Sequence, residues 1–99
     1  MSLIRRRVLI SGIVQGVCYR AFTRDAAIRR GVAGWVRNLS DGRVEAVFQG
    51  EEERVRSAVD WCYRGSPGSL VESVEVVEEE PVDDLEGFTI TYMSSRSRW

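Results

Sequence analysis

The sequence predicts an α+β fold in which two helices cover one face of an antiparallel sheet, the elements running β-α-β-β-α-β with a short extra C-terminal strand. Three observations carry that expectation. Apolar residues alternate at period two in the strand stretches and return at helical spacing in two others. Strand and helix stretches interleave instead of falling into separate halves. Between two alternating runs lies Asp41-Gly42, a dipeptide that accepts the positive φ values of a tight hairpin turn.

"RRRVLISGIV" reads as the first strand, Arg5 to about Val14, with Val8 and Ile10 on one face and Leu9 and Ser11 on the other. A helix follows from Tyr19 to Arg30. Phe22 and Ala26 stack at i, i+4, and Arg29 and Arg30 stand in the last turn, where the helix dipole favours cations. Gly31 is the expected left-handed stop. "VAGWVRNL" is the second strand, "SDG" the turn, and "RVEAVFQG" the third strand with Val44, Ala46 and Phe48 facing inward. Glu51, Glu52 and Glu53 open a second helix, which Val55, Ala58, Val59 and Cys62 carry at core spacing and Gly65 closes. After an "SPGS" loop, "VESVEVVEE" is the fourth strand, with Val74 and Val76 on one face. "PVDDLE" then leads to "GFTITY", where Phe88, Ile90 and Tyr92 alternate. This order is the ferredoxin-like arrangement, which hosts many unrelated functions. One domain is expected over residues 1–99, its core at about 5–92 and a flexible tail at 93–99.

The 99 residues are enough for a single core, and 43% hydrophobic with 29% charged residues is ordinary for a globular chain. No apolar run approaches the roughly 20 residues of a membrane span, and the N-terminal stretch lacks the apolar segment of a secretory signal. A cytoplasmic protein without membrane contact is therefore expected. Cys18 and Cys62 are too few for a disulfide framework or a zinc site.

Net charge is −1, but it divides unevenly along the chain. Residues 1–43 carry nine arginines against Asp25 and Asp41, a net +7, while residues 44–99 carry five arginines against thirteen acids, a net −8. A positive N-terminal half draws anions, unless its arginines are spent on the acidic half. The absences are sharper. There is no histidine, and all fourteen basic residues are arginine. Histidine-dependent nucleophilic mechanisms, histidine-ligated metals, Schiff bases and the P-loop lysine are thereby excluded.

Attention falls on "GIVQGVCYRAFT", Gly12 to Thr23, where a strand ends in a loop around Gly16 and the chain turns directly into a helix carrying Arg20. Backbone N–H groups in such a loop and at a helix start lack intrachain acceptors and converge on an incoming anion. Arg20 in a first helical turn opposes the dipole, an anomaly that a bound anion removes.

"GIVQGVCYR" resembles the N-terminal signature of acylphosphatases, and "GWVRNLSDGRVEAVFQG" resembles their second signature, in the same order and spacing; the resemblance runs from about Arg7 to Tyr92. It implies hydrolysis of the carboxyl-phosphate bond of acyl phosphates, without cofactor or metal. The loop Gln15, Gly16, Val17, Cys18, Tyr19 and Arg20 would wrap the phosphate with its N–H groups. Arg20 would bind the phosphoryl oxygens, and Asn38 would position the attacking water. Thr23 is a candidate support for the loop. The partners implied are a small acyl phosphate and inorganic phosphate, the latter as product and competitor; a monomer is expected and no nucleic acid. The chemistry tolerates the missing histidine, because a carboxylic acid with a pKa of about 4 leaves without a general acid.

Taken one at a time, these residues have plainer readings. Gly16 and Asn38 suit turns, Trp35 fills a sheet face, and Glu51–Glu53 and Glu78–Glu80 are solvated acids. Only loop, Arg20 and Asn38 together point to a site. Two other functions fit parts of the pattern. Cys18 and Arg24 stand at the C-x5-R spacing of cysteine-dependent phosphatases, though no glycine lies between them. A ferredoxin-like sheet can also serve as a non-catalytic anion- or RNA-binding surface, for which Phe48 is the aromatic on the third strand and Glu45 an obstacle.

Overall fold

The computed structural model describes residues 2–92. Seven elements follow one another: β1 (Leu3–Ile13), α1 (Tyr19–Arg30), β2 (Ala33–Asn38), β3 (Val44–Glu51), α2 (Glu52–Arg64), β4 (Leu70–Glu79) and β5 (Phe88–Ile90). They form a five-stranded sheet in the order β4-β1-β3-β2-β5. The first four strands pair antiparallel, as the ferredoxin-like order requires. β5 departs from the antiparallel expectation, because it joins the β2 edge in parallel. The reason is connectivity: β4 and β5 lie at opposite edges, so residues 80–87 cross the sheet before the chain re-enters it. The expected tail at 93–99 lies outside the described residues.

Helix α1 spans Tyr19–Arg30 as expected, and Gly31 ends it in the left-handed region at φ 70°, its N–H returning to the last turn. Glu51 caps α2 by accepting from the Arg54 N–H, with Glu52 and Glu53 in the first turn. β1 begins two residues earlier than the apolar pattern suggests and ends at Ile13. Hydrogen bonding to β3 continues through Leu3 whatever the side chains there.

Both helices contribute to one core with the inward face of the sheet: Val8, Ile10, Val36, Val44, Ala46 and Phe48 from strands, and Ala26, Ala27, Val55, Ala58 and Cys62 from helices. Of the i, i+4 pair Phe22 and Ala26, only Ala26 is buried, Phe22 being 42% exposed; the buried face of α1 is Tyr19, Thr23, Ala26 and Ala27. The Tyr19 ring fills the space, lying 5.5 Å from Trp61 with its hydroxyl donating to the Cys62 carbonyl at 2.7 Å. The short final strand contributes Phe88, stacked on Phe48.

The opposite face of the sheet carries a belt of ion pairs. Glu45, 4% exposed, accepts from Arg7 at 2.9 Å and from Arg37 at 2.7 Å, while Glu79 accepts from Arg5 and Arg7. Much of the positive N-terminal half is thus spent on acids from the second half, and Glu79 is not the freely solvated residue its sequence context suggests. Gln49, on the same face, exchanges two hydrogen bonds with the backbone of Val82 and fastens the crossing segment. An RNA-stacking surface finds no support here, since Phe48 points into the core and the open face is tied up in ion pairs.

Candidate active site

At one end of the sheet the β1–α1 loop, the end of β2 and the residues around the end of β5 surround an open cleft of about 320 Å³. The loop supplies Gly16, Cys18 and Arg20, the strand supplies Asn38, and Ile90 and Tyr92 form the far wall. Gly16 has φ 78°, with open space where a side chain would begin, so its backbone conformation rather than crowding selects glycine. Cys18 lies at φ 60° and ψ 24°, left-handed without being glycine or asparagine. That costs about 1–2 kcal/mol and is held by the structure on either side.

The consequence of this backbone is a set of unused donors. Among the described residues no backbone N–H from Gln15 to Ala21 donates to a protein acceptor; the first helical bond is Phe22 N–H to the Cys18 carbonyl. No side chain caps α1, and no acid stands in its first turn. Arg20 adds a full positive charge at the same place and makes no ion pair among the described residues; its guanidinium carbon lies 5.1 Å from the centre of the Tyr92 ring. Across the cleft the Asn38 Oδ1 is buried and has no hydrogen-bond partner among the described residues. A buried acceptor left alone costs about 1–3 kcal/mol, so this atom calls for a donor from the cleft. Charge, N–H groups and acceptor together suit a small oxyanion with a water beside it.

The other residues singled out in the sequence have different places. Gln15 does not line the cleft: its amide nitrogen donates to the Leu39 carbonyl at 2.8 Å and the Arg43 carbonyl at 2.9 Å. It thereby ties the loop to the turn that follows Asn38. Val17 packs partly against the core, and its carbonyl accepts from Ser66, a 4%-exposed residue that nothing in "SPGS" marked out. Tyr19 is a cleft residue through its start-of-helix backbone, its side chain being core. Thr23 is fully buried and donates to the Tyr19 carbonyl, so it braces the first turn of α1 from inside. Arg24 points to Asp25 on the surface and does not line the cleft, which separates it from Cys18. Cys62 is buried, and burial pushes its thiol up to about 12. Ile90 and Tyr92 were read only as strand residues. Their alternation was visible, but their arrival at the cleft depends on β5 lying parallel beside β2.

In fold this is a small α+β domain whose cleft, at one end of the sheet, joins an arginine, free backbone N–H groups and a buried amide oxygen. Comparison with known proteins makes the class specific. The acylphosphatase family model matches residues 6–90. The acylphosphatase of Haloquadratum walsbyi is 58% identical over 86 residues, 87% of this chain and 91% of that protein. That of Chloroflexus aurantiacus is 54% identical over 92 residues, 93% of this chain and 100% of the relative. The crystal structure of acylphosphatase from Bacillus subtilis matches with a TM-score of 0.86 at 38% identity, covering 90% of this chain and 99% of that one. The chain belongs to the acylphosphatase family, hydrolases that cleave acyl phosphates to a carboxylate and inorganic phosphate. No helix among the described residues is long and apolar enough to cross a membrane.

Proposed function

We propose that the loop from Gln15 to Arg20 seats the substrate's phosphoryl group, that Arg20 binds its oxygens, and that Asn38 positions the water that attacks phosphorus. The observation that carries this reading is the buried, unpartnered Asn38 Oδ1 in the same cleft as Arg20. An acceptor there takes a hydrogen bond from water and directs its lone pair at phosphorus. This is positioning, because an amide does not remove protons at neutral pH. The water oxygen forms a bond to phosphorus as the bond to the acyl oxygen breaks. The carboxylate departs with that electron pair, and the water's proton passes to a phosphoryl oxygen of the substrate. Negative charge on the equatorial oxygens meets the Arg20 fork and the fixed N–H dipoles, which need no reorganisation during the step. The protein acts as one cytoplasmic, monomeric domain on small acyl phosphates, and the product, inorganic phosphate, competes for the same seat.

The test is hydrolysis of acetyl phosphate in chelator-treated buffer by the parent, Arg20→Ala and Arg20→Lys. The expected result is loss of more than 10²- to 10³-fold in kcat/KM for Arg20→Ala, since the cation serves both bound substrate and transition state. Lysine restores only part, because a point charge does not reproduce the bidentate fork. Unchanged turnover in Arg20→Ala would remove the assignment.

A further inference from the structure

We propose that Tyr92 is a positioning residue for Arg20, holding the guanidinium by its face so that its N–H edge stays free for the anion. This rests on the reading of Arg20 as the cation of the phosphate seat. Arginines elsewhere in the molecule are held by carboxylates: Arg5 and Arg7 by Glu79, Arg37 by Glu45, Arg43 by Asp41. Such a partner occupies donors and offsets the charge. Arg20 makes neither an ion pair nor a side-chain hydrogen bond among the described residues; its guanidinium instead lies over the Tyr92 ring, 5.1 Å from the ring centre.

An aromatic face attracts a cation without using any of its N–H groups. It therefore restricts a rotamer-rich side chain while leaving all five donors available to a phosphoryl group. The placement of the ring supports this role. Tyr92 is 73% exposed, so core packing does not account for it. The residue before it is pinned, with the Thr91 N–H donating to the Val36 carbonyl at 2.8 Å, two residues before Asn38 on β2. The strand that delivers the ring is thus bonded to the strand that delivers Asn38, and Tyr92 lines the same cleft as both.

The experiment replaces Tyr92 with phenylalanine and then with mono-, di- and trifluorinated phenylalanines, which weaken the ring's negative face at nearly constant size. It reads competitive inhibition by inorganic phosphate together with KM and kcat for acetyl phosphate. Tyr92→Phe is expected within about twofold of the parent, and the inhibition constant should then rise stepwise with fluorination by about three- to fivefold in all, the range of an exposed cation–π contact. KM should follow it, with kcat moving less. A structural role alone would not track the electronics of the ring, and the urea midpoint should stay level along the series. Inhibition constants that are flat across the series would overturn the proposal. Arg20→Ala, measured alongside, separates the two readings. If it loses phosphate while the series is flat, only the positioning role of Tyr92 fails; if it keeps phosphate, the seat itself was misassigned.

Discussion

The Gln15 amide nitrogen lies 2.8 Å from the Leu39 carbonyl oxygen, and its second N–H reaches Arg43 at the other end of the same turn. One side chain therefore clamps the turn next to Asn38 onto the loop that leads to Arg20. The two halves of the cleft come from segments about twenty residues apart in the chain, and this bond sets their spacing.

Gln15→Glu should disturb that spacing directly, since a carboxylate cannot donate and would face two carbonyl oxygens. Loss of two part-buried hydrogen bonds should lower stability by about 1–3 kcal/mol. Activity should fall by at least tenfold in kcat, because a small displacement of the water relative to phosphorus is costly. Urea unfolding and steady-state kinetics on one preparation check both, and a kcat equal to the parent's would show that the clamp does not set the geometry.

Asn38→Ala should separate binding from turnover. Its kcat should drop by 10²-fold or more, while inhibition by inorganic phosphate stays within about twofold, because the seat and Arg20 are untouched. Stability should not fall, since the variant deletes a buried acceptor that has no partner among the described residues. Collapse of phosphate inhibition together with kcat would move Asn38 from the water to the phosphate.

At Cys18 two substitutions give different information. Cys18→Ser should keep hydrolysis within a few-fold of the parent, because Arg24, the arginine at C-x5-R spacing, is turned away toward Asp25 and does not share the cleft with Cys18. Near-total loss with an intact fold would restore a thiolate mechanism. Cys18→Gly should raise stability by about 1 kcal/mol by relieving the left-handed backbone, less the entropy gained by the unfolded chain. Thermal unfolding of the three proteins gives the answer.

Acid should expose the ion-pair belt. Burial opposes the charged form of Glu45, but the hydrogen bonds and charges of Arg7 and Arg37 outweigh it and hold the carboxyl below its ordinary value of 4.5. Its contribution is complete above that ordinary value and is lost as pH falls through the lowered one. Glu45→Gln should therefore be less stable at neutral pH by about 1–3 kcal/mol, discounted for the half-exposed arginines, and should show a flatter loss of stability below pH 4.5. Urea midpoints between pH 7 and 3 test this; parallel curves for parent and variant would mean that Glu45 is not the acid-sensitive group.

Much of the fold was legible along the chain because its signals are local. Period-two alternation in "RVEAVFQG", the helical return of Val55, Ala58 and Cys62, Asp41-Gly42 and the stop at Gly31 each depend on neighbours a few residues away. Which residues α1 buries was not legible, because the core beneath it holds Tyr19 against Trp61, a pair far apart in sequence, and leaves Phe22 exposed. The parallel pairing of β5 was hidden for a similar reason: three residues carry no signal of direction, and the crossing segment is anchored by Gln49, from the far side of the hairpin.

By itself the sequence determined the element order, the absence of any histidine or lysine chemistry, and the two motifs that bring loop, Arg20 and Asn38 into view, because composition, periodicity and short-range spacing are properties of neighbouring residues. Only the tertiary structure decided what those residues face. Gln15 became a clamp rather than a wall of the seat, Tyr19 became core, Asn38 acquired a buried oxygen without a partner, and Tyr92 came to lie beside Arg20. Each of these follows from contacts made across the sheet, where burial and strand pairing, not sequence distance, determine which groups meet.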